Sequence, residues 1–195
     1  MICFKYTKTD GAEYLSHLDL LRHIDRTLRR AEIKVKTSEG FHPHPKIFMN
    51  NPLGLGIKSV AEYCAVDCDP CDDFKERFNA NSPKGVKCLG FKFTDENPNY
   101  AYGITACTYS LEGITLDTAE FMSRERLIIT DKRGREVDIM PRISALGYEG
   151  ERLIFTLGCG QNNLRPDLFA EVLESIYGGK ARDITKIASH GELIF

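Results

Sequence analysis

The sequence contains no tryptophan and only four methionines, and none of its apolar runs approaches the roughly 20 residues that a membrane-spanning helix needs. Its N-terminus reads as a short strand and lacks the long apolar run of a signal peptide. A Walker loop, a Gly-x-Ser-x-Gly nucleophile motif and a dinucleotide fingerprint are also missing. We therefore expect a cytoplasmic protein that contacts no membrane and carries none of these common enzyme signatures.

The formal net charge of the 195 residues is only −2, which argues against a protein that coats nucleic acid nonspecifically. The charge is nevertheless uneven along the chain. Residues 1–46 contain 9 basic and 6 acidic side chains, whereas residues 47–96 contain 6 and 8, and residues 97–195 contain 11 and 14. The basic excess in the first quarter indicates one localised anion-binding surface.

Hydrophobic periodicity and turn residues predict two halves with a similar order of elements. The first half has predicted strands at 2–7, 33–35, 46–50, 59–67 and 86–94, and helices at 16–31 and 72–79. The second half has predicted strands at 104–111, 127–132, 136–140, 143–146, 152–158, 184–187 and 192–195, and helices at 115–122 and from 166 to before 178. Each half approximates the β-α-β-β-α-β order of a ferredoxin-like domain. The predicted class is therefore α+β, with two tandem ferredoxin-like domains, residues 1–96 and 97–195, built on antiparallel sheets.

The first predicted helix is amphipathic, with Ser16 as its N-cap and Asp19 completing a pattern similar to a capping box. Four arginines fall on the face opposite the apolar residues, and they are Arg22, Arg26, Arg29 and Arg30. The planar fork of arginine suits phosphate. The basic residues that follow close in sequence are Lys34, Lys36 and Lys46. The alternative is a solvated face whose arginines pair with nearby carboxylates, namely Asp19, Asp25 and Glu32.

A stiff loop follows, with the sequence Gly40-Phe41-His42-Pro43-His44-Pro45-Lys46. Each histidine precedes a proline, so His42 and His44 are expected on extended backbone. Phe41 offers a ring that could stack on a base, and the loop could contact a polyanion, take part in acid–base or metal chemistry, or serve structure alone. His17, in the first turn of the preceding helix, is either a buried, hydrogen-bonded histidine or a catalytic one.

The seven cysteines, an odd number without a secretion signal, indicate reduced thiols. Three of them, Cys64, Cys68 and Cys71, have the spacing that radical S-adenosylmethionine (SAM) enzymes use to hold an iron–sulfur cluster. Pro70 stands where those enzymes usually have an aromatic residue, too few residues follow for their barrel, and nearby aspartates oppose thiolate formation. We therefore interpret these thiols as incidental rather than as a cluster or zinc site, and we predict no metal and no cofactor.

In the second half, Asp138 and Arg142 are four residues apart, and Arg165 precedes Pro166 and Asp167. Such spacing suits either salt bridges or a functional site. We interpret Asp138, Arg142 and Arg165 as partners in salt bridges between the two domains.

Several motifs are distinctive when taken together. Those in the first half are Ser16-His17-Leu18-Asp19-Leu20-Leu21-Arg22, Leu28-Arg29-Arg30-Ala31, Ser38-Glu39-Gly40-Phe41-His42-Pro43-His44-Pro45-Lys46 and Pro52-Leu53-x-Leu55-Gly56-x-x-Ser59-x-x-Glu62-Tyr63. Those in the second half are Asp138-Ile139-x-Pro141 and Leu164-Arg165-Pro166. With these motifs the sequence resembles the uncharacterised radical-SAM-associated family of bacteria, whose members occur alone or fused to the C-terminus of a B12-binding radical SAM protein.

The resemblance implies a radical SAM enzyme as functional partner and an RNA-processing or translation context. The family commonly has asparagine at the position of His42, which makes His44 the better candidate for a functional histidine. It has an apolar residue at the position of Cys64, which implies that any iron–sulfur cluster belongs to the partner. A tandem ferredoxin-like layout with a basic first helix is also similar to the RNA-processing endonucleases of CRISPR systems, which cleave RNA without metal and often with histidine.

The leading hypothesis is a noncatalytic RNA-binding or substrate-presenting module that works with a radical SAM enzyme on tRNA or rRNA. The predicted RNA-contacting residues are Arg22, Arg26, Arg29, Arg30, Phe41, His42, His44 and Lys46. One alternative is a metal-independent ribonuclease that uses His17 and His44. Another is a protein–protein adaptor whose arginine face docks an acidic partner.

Overall fold

A computed structural model describes residues 1–131, 133–191 and 194–195 of the chain, which folds as two compact units. Unit 1 comprises Met1–Ile104 with Gly191–Phe195, and unit 2 comprises Thr105–His190. The first elements in chain order are β1 (Ile2–Lys8), α1 (His17–Arg30), β2 (Ile47–Met49), β3 (Lys58–Val66), α2 (Phe74–Asn81), β4 (Cys88–Phe93) and α3 (Tyr100–Gly103). The elements that follow are β5 (Ile104–Glu112), α4 (Thr118–Met122), β6 (Ile128–Thr130), β7 (Glu136–Asp138), β8 (Ile143–Glu149), β9 (Arg152–Gly158), α5 (Pro166–Tyr177) and β10 (Arg182–Gly191).

In unit 1, strand β1 lies between two antiparallel neighbours, β3 and β4, and the short β2 pairs with the end of β3. Alternate side chains of β1, at Ile2, Phe4 and Tyr6, are buried in one cluster with the apolar face of α1. The Phe4 ring centroid lies 5.2 Å from that of Phe74 and 5.1 Å from that of Phe78, both in α2. This aromatic core holds α1 and α2 against the same face of the strands.

In unit 2, strand β9 lies between β5 and β8 and is antiparallel to both, while β6 and β7 form a separate antiparallel pair. The ring centroid of Phe155 in β9 lies 5.0 Å from that of Phe169 in α5. Helix α5 begins at Pro166, where the missing N–H of proline leaves no intrahelical bond unmade. The predicted start of this helix is therefore confirmed.

The prediction of two ferredoxin-like domains with antiparallel sheets is wrong. The class is α+β, but eight strands, β1 to β5 and β8 to β10, form one large mixed sheet. The C-terminal segment illustrates the error, because the sequence predicts short strands at 184–187 and 192–195, whereas β10 is one strand of 10 residues. Lys186 and Ser189 are polar but buried within β10, so the hydrophobic pattern of this segment does not indicate one long strand. Glu192 and Leu193, in the last predicted strand, lie outside the described residues, as does Lys132 at the end of the strand predicted at 127–132.

Helix α1 begins as predicted, because the Ser16 hydroxyl accepts a hydrogen bond from the Asp19 backbone N–H at 3.1 Å and donates one to the Asp19 carboxylate at 2.7 Å. Helix α1 ends at Arg30 with Ala31 as its C-cap, and Glu32, the next residue, has the left-handed φ of 56°. The Ile33 N–H donates to the Leu28 carbonyl at 2.9 Å. Glycine is the usual residue at this position of a helix end. The chain then turns towards the loop before β2.

Two local predictions differ from the structure. The strand predicted at 33–35 is reduced to an isolated bridge between Val35 and Cys68. Helix α3 lies at residues 100–103, where the sequence predicts no element. Among the described residues, no helix combines the length and the apolar character that crossing a membrane requires.

Candidate nucleic-acid interface

Residues 36–46, here called the histidine loop, form a narrow ribbon of paired backbone. The Ser38 N–H donates to the His44 carbonyl at 2.8 Å, and the Lys46 N–H donates to the Lys36 carbonyl at 2.9 Å. The Ser38 hydroxyl accepts a further hydrogen bond from the His44 N–H at 3.0 Å. These bonds fix the base of the loop, so its tip is held out as a defined turn.

The tip of the histidine loop exposes an aromatic ring. Gly40 has a φ of 114°, a left-handed conformation that L side chains rarely adopt, and this allows the chain to turn there. Phe41, the next residue, is fully exposed, and His42 and Pro43 are exposed beside it. An exposed phenylalanine adds nothing to the core, so the fold alone does not explain Phe41.

The base of the histidine loop is tied to the end of β3 by backbone and by charge. The Lys36 N–H donates to the Asp67 carbonyl at 2.8 Å, and the Asp67 N–H donates to the Lys46 carbonyl at 3.0 Å. The Asp67 carboxylate lies 3.1 Å from the Lys36 ammonium and 3.5 Å from that of Lys46. Burial opposes its ionisation, yet these two ammonium groups hold the pKa of Asp67 below its usual value. One carboxylate thus offsets two lysines, which leaves the loop base with a positive excess.

The four arginines of α1, here called the arginine face, are all exposed, as the sequence predicts. Arg22 lies 3.1 Å from Asp19 and Arg29 lies 3.1 Å from Asp25, while Arg30 donates to the Asn81 carbonyl at 2.9 Å. Arg26 has no hydrogen-bond or ion-pair partner in the part of the chain that the structure describes. Exposed ion pairs of this kind are weak, so the guanidinium groups remain available for phosphate.

A groove of about 660 Å³ lies between the C-terminal half of α1 and the base of the histidine loop. Its lining residues are Asp25, Arg29, Glu32, Ile33, Lys34, Val35, Thr37 and Pro45. The volume is within the usual range of about 300–1,000 Å³ for small-ligand sites. Arg29 of the arginine face and the base of the histidine loop, at Thr37 and Pro45, therefore border the same groove.

A second group of polar side chains, here called the polar cluster, is buried in unit 1. It comprises Tyr6 and Lys8 of β1, Glu62 of β3, and Asn50, which directly follows β2. Lys8 is 2% exposed and Glu62 is 3% exposed. Tyr6 and Glu62 are opposite each other in the register of the two strands, and the Asn50 amide donates to the Glu62 carboxylate at 3.0 Å. Buried charges are costly, so such a cluster is unusual in a core.

His17 lies within electrostatic range of the polar cluster. Burial lowers the pKa of His17 below its usual value, while Glu62 opposes this shift and Lys8 adds to it. A lowered pKa favours the neutral imidazole near pH 7, which is the form that accepts a proton. His17 is half-buried, so part of its side chain is open to solvent.

The buried Tyr6 hydroxyl provides a direct test of the polar cluster. It has no hydrogen-bond partner among the described residues. Because an unpartnered buried hydroxyl is destabilising, we expect Tyr6→Phe to leave the free energy of unfolding unchanged or to raise it by about 1 kcal/mol in urea titrations. The matched control is Tyr63→Phe, which removes a 2.9 Å hydrogen bond to the Phe195 carbonyl and should lower stability by about 1 kcal/mol. A loss for Tyr6→Phe as large as that of the control would show that the Tyr6 hydroxyl is satisfied.

The two predicted catalytic histidines are not brought together. His17 begins α1, whereas the base of the histidine loop borders the groove beside Arg29, in the last turn of α1. Twelve residues of helix separate the two positions, which corresponds to about 18 Å. His17 and His44 therefore lie near opposite ends of the helix.

The three cysteines with cluster-like spacing occupy dissimilar places. Cys64 is fully buried in β3 and Cys68 is almost fully buried, whereas Cys71 lies 3.0 Å from the Asp73 carboxylate. Burial raises the pKa of Cys68 to about 11 and raises the pKa values of Cys64 and Cys71 as well, so the thiol form is favoured. Within the described ranges, no group of three or more His, Cys, Asp or Glu side chains is arranged to hold a metal ion.

The charged residues singled out in the second half all have local partners within unit 2. The Asp138 carboxylate accepts hydrogen bonds from the backbone N–H groups of Leu127 and Met140, and Arg142 donates to the Asn163 carbonyl at 3.0 Å. Arg165 forms an ion pair with Asp167. Their role between domains stays a prediction.

The fold and this surface define an α+β protein that holds an exposed aromatic ring on a basic loop beside an arginine-rich helix. The chain belongs to a bacterial family, since residues 2–166 match the family described as "Uncharacterized protein conserved in bacteria (DUF2344)". No curated protein matches the chain. The matched stretch includes α1, the histidine loop and every residue that lines the groove.

Proposed function

We propose that the chain is a noncatalytic RNA-binding or substrate-presenting module that acts in the cytoplasm with a radical SAM enzyme, in the modification or processing of tRNA or rRNA. The observation that carries the RNA-binding part is the fully exposed Phe41 at the tip of a hydrogen-bonded loop. Aromatic rings on such loops are the usual platforms on which unpaired bases stack. The arginine face beside the loop supplies the matching phosphate contacts.

The electrostatics favour a short single-stranded segment over a long duplex. The chain is acidic overall, and the basic residues concentrate on α1 and the histidine loop, where several of them are offset by carboxylates. A surface of this size contacts only a few phosphates. Unpaired bases are also required for stacking on Phe41, and a continuous duplex does not supply them.

Salt titration of RNA binding tests this proposal. With about four phosphate contacts, the logarithm of the affinity for a single-stranded oligonucleotide should fall against the logarithm of salt concentration with a slope of about −3. A blunt duplex of the same length should bind more weakly at every salt concentration. No binding at low salt, or equal binding of duplex and single strand, would contradict the proposal.

The radical SAM partner is supported by the family resemblance alone. A tagged chain should therefore retain a radical SAM protein from a bacterial lysate, as identified by mass spectrometry. If that protein stays bound after nuclease treatment and the chain carries no RNA, the result supports the alternative hypothesis of a protein–protein adaptor. If no radical SAM protein is retained under either condition, this part of the proposal fails.

A second candidate function, a metal-independent ribonuclease, is favoured by the surroundings of His17 alone. Its lowered pKa and the nearby Glu62 and Lys8 suit a general base, with His44 as an RNA contact instead of its catalytic partner. Labelled cellular RNA incubated with the protein and EDTA should then acquire new ends, and His17→Ala should abolish them. Absence of new ends contradicts this candidate for the RNAs tested and favours the noncatalytic module.

A further inference from the structure

The groove beside the histidine loop has an apolar floor and a charged rim. Ile33, Val35 and Pro45 supply the apolar lining, and Ile33 is 6% exposed. Arg29 and Lys34 supply positive charge at the rim, where Arg29 also lies 3.1 Å from the carboxylate of Asp25, another lining residue. Lys34 has no ion-pair partner in the described part of the chain. Such a combination suits a flat, apolar-faced ring that carries a phosphate.

Glu32 also lines the groove, and its backbone has a conformation that glutamate rarely adopts. Its φ of 56° places a side chain with a Cβ in the left-handed region, at the helix end where glycine is usual. Its carboxylate has no ion-pair or hydrogen-bond partner among the described residues. The Glu32 backbone completes the end of α1, where its N–H donates to the Arg29 carbonyl at 3.0 Å, but this role does not use the side chain. Strained residues concentrate at functional sites, so the unpaired carboxylate points to a ligand.

The chemistry of a carboxylate selects among the nucleobases. A carboxylate offers two acceptor oxygens side by side and no donor. Guanine is the one common base whose Watson–Crick edge presents two adjacent donors, the N1–H and the exocyclic amine. On the same edge, adenine and cytosine each have one donor next to an acceptor that repels the carboxylate. Uracil has one donor between two acceptors.

We infer that this groove is a binding site for a guanine nucleotide, with Glu32 accepting hydrogen bonds from the N1–H and the exocyclic amine. The base lies on the apolar floor, and the phosphate is held by Arg29 and Lys34. The nucleotide is either one unstacked residue of a bound RNA, in which case the inference rests on the proposed function, or a free guanine nucleotide.

Fluorescence anisotropy with two labelled ten-residue RNAs tests the site. One RNA is oligouridine, and the other has a single central guanosine. The wild-type chain should bind the guanosine-containing RNA about 10-fold more tightly, which corresponds to one good bidentate contact. Glu32→Gln and Glu32→Gly should each reduce this preference to less than about 2-fold while leaving oligouridine binding within about 2-fold.

The control variant is Glu39→Gln, which removes the same charge from the histidine loop outside the groove lining and should keep the full preference. Glu32→Gly also relieves the left-handed backbone, so its melting temperature should equal or exceed that of the wild type. Loss of the preference without loss of stability therefore assigns a ligand-binding role to the Glu32 side chain.

The remaining outcomes separate this inference from the proposed function. Equal affinity of the wild type for both RNAs overturns the RNA-borne guanine site while leaving RNA binding intact. If the chain binds neither RNA, the proposed function is contradicted. Calorimetry with guanosine 5′-monophosphate then tests whether the groove binds a free guanine nucleotide. Binding of this nucleotide that Glu32→Gln abolishes supports the site with a free nucleotide as ligand. No binding of the nucleotide or of either RNA overturns the inference.

Discussion

Reversing two charges on the arginine face should weaken RNA binding by about 100-fold. In the variant Arg22→Glu with Arg26→Glu, two arginine–phosphate contacts are lost, and a charge-assisted contact contributes about 1.5 kcal/mol. The slope of the salt titration should become shallower by about 1.4, because two fewer phosphates are neutralised on a single strand. Fluorescence anisotropy at several salt concentrations measures both quantities on the same samples.

The fold should tolerate this double variant. Among the described residues, Arg22 pairs only with exposed Asp19 and Arg26 has no partner, so the free energy of unfolding should change by less than about 1 kcal/mol. The matched control is Arg126→Glu with Arg133→Glu, which makes the same change in net charge on exposed residues of unit 2. If the control weakens RNA binding as much as the double variant, the effect is one of total charge and the arginine face is not the interface.

Removing the exposed Phe41 ring should lower RNA affinity by about 30-fold, through the loss of base stacking and not through a change of charge. Stacking of one base on an aromatic ring contributes about 2 kcal/mol, and Phe41→Ala deletes that ring without touching a charge. The salt slope should therefore stay the same while the affinity falls at every salt concentration. Phe41→Tyr should restore most of the affinity, since any aromatic ring offers a face for stacking.

Protein stability separates this effect from misfolding. Phe41 is fully exposed, so Phe41→Ala should shift the free energy of unfolding by less than about 0.5 kcal/mol. The matched control is Tyr102→Ala, which removes another exposed aromatic ring in unit 1 and should leave RNA binding unchanged. An unchanged affinity for Phe41→Ala would refute stacking at the tip of the histidine loop.

Local signals along the chain predicted much of α1 and the loop after it. A serine N-cap followed by residues with a 3.6-residue period identifies the helix, because these patterns act within one turn. The His-Pro repeats indicate extended backbone, which becomes one side of the hydrogen-bonded ribbon. These features depend on neighbours close in sequence, so a single sequence contains enough information to find them.

Features that depend on partners far along the chain were not predictable in the same way. Nothing local in β10 shows that a polar segment of 10 residues belongs to a sheet of eight strands. The left-handed backbone of Glu32 also has no signal in the sequence, because glutamate stands at a position where such a conformation usually requires glycine. Both are consequences of tertiary structure overriding local preference.

The polar cluster had a partial signal in the sequence. Lys8 shares the alternation of Ile2, Phe4 and Tyr6, so a strict period of two places it on the buried face of β1. Glu62 gave no comparable signal, because β3 is buried on both faces and its pattern does not alternate. The meeting of Lys8, Glu62 and His17 therefore emerges only from the register of the strands and the position of α1.

Photocrosslinking tests the location of the RNA interface most directly. A single-stranded RNA that carries 4-thiouridine is bound to the wild-type chain, irradiated and digested with trypsin, and the crosslinked peptides are identified by mass spectrometry. Lys36 and Lys46 bracket the tip, so the predicted result is that the tryptic peptide of residues 37–46, which contains Phe41, carries the crosslinked nucleotide. Crosslinks confined to unit 2, or none above an irradiated control without photoreactive RNA, would contradict the account.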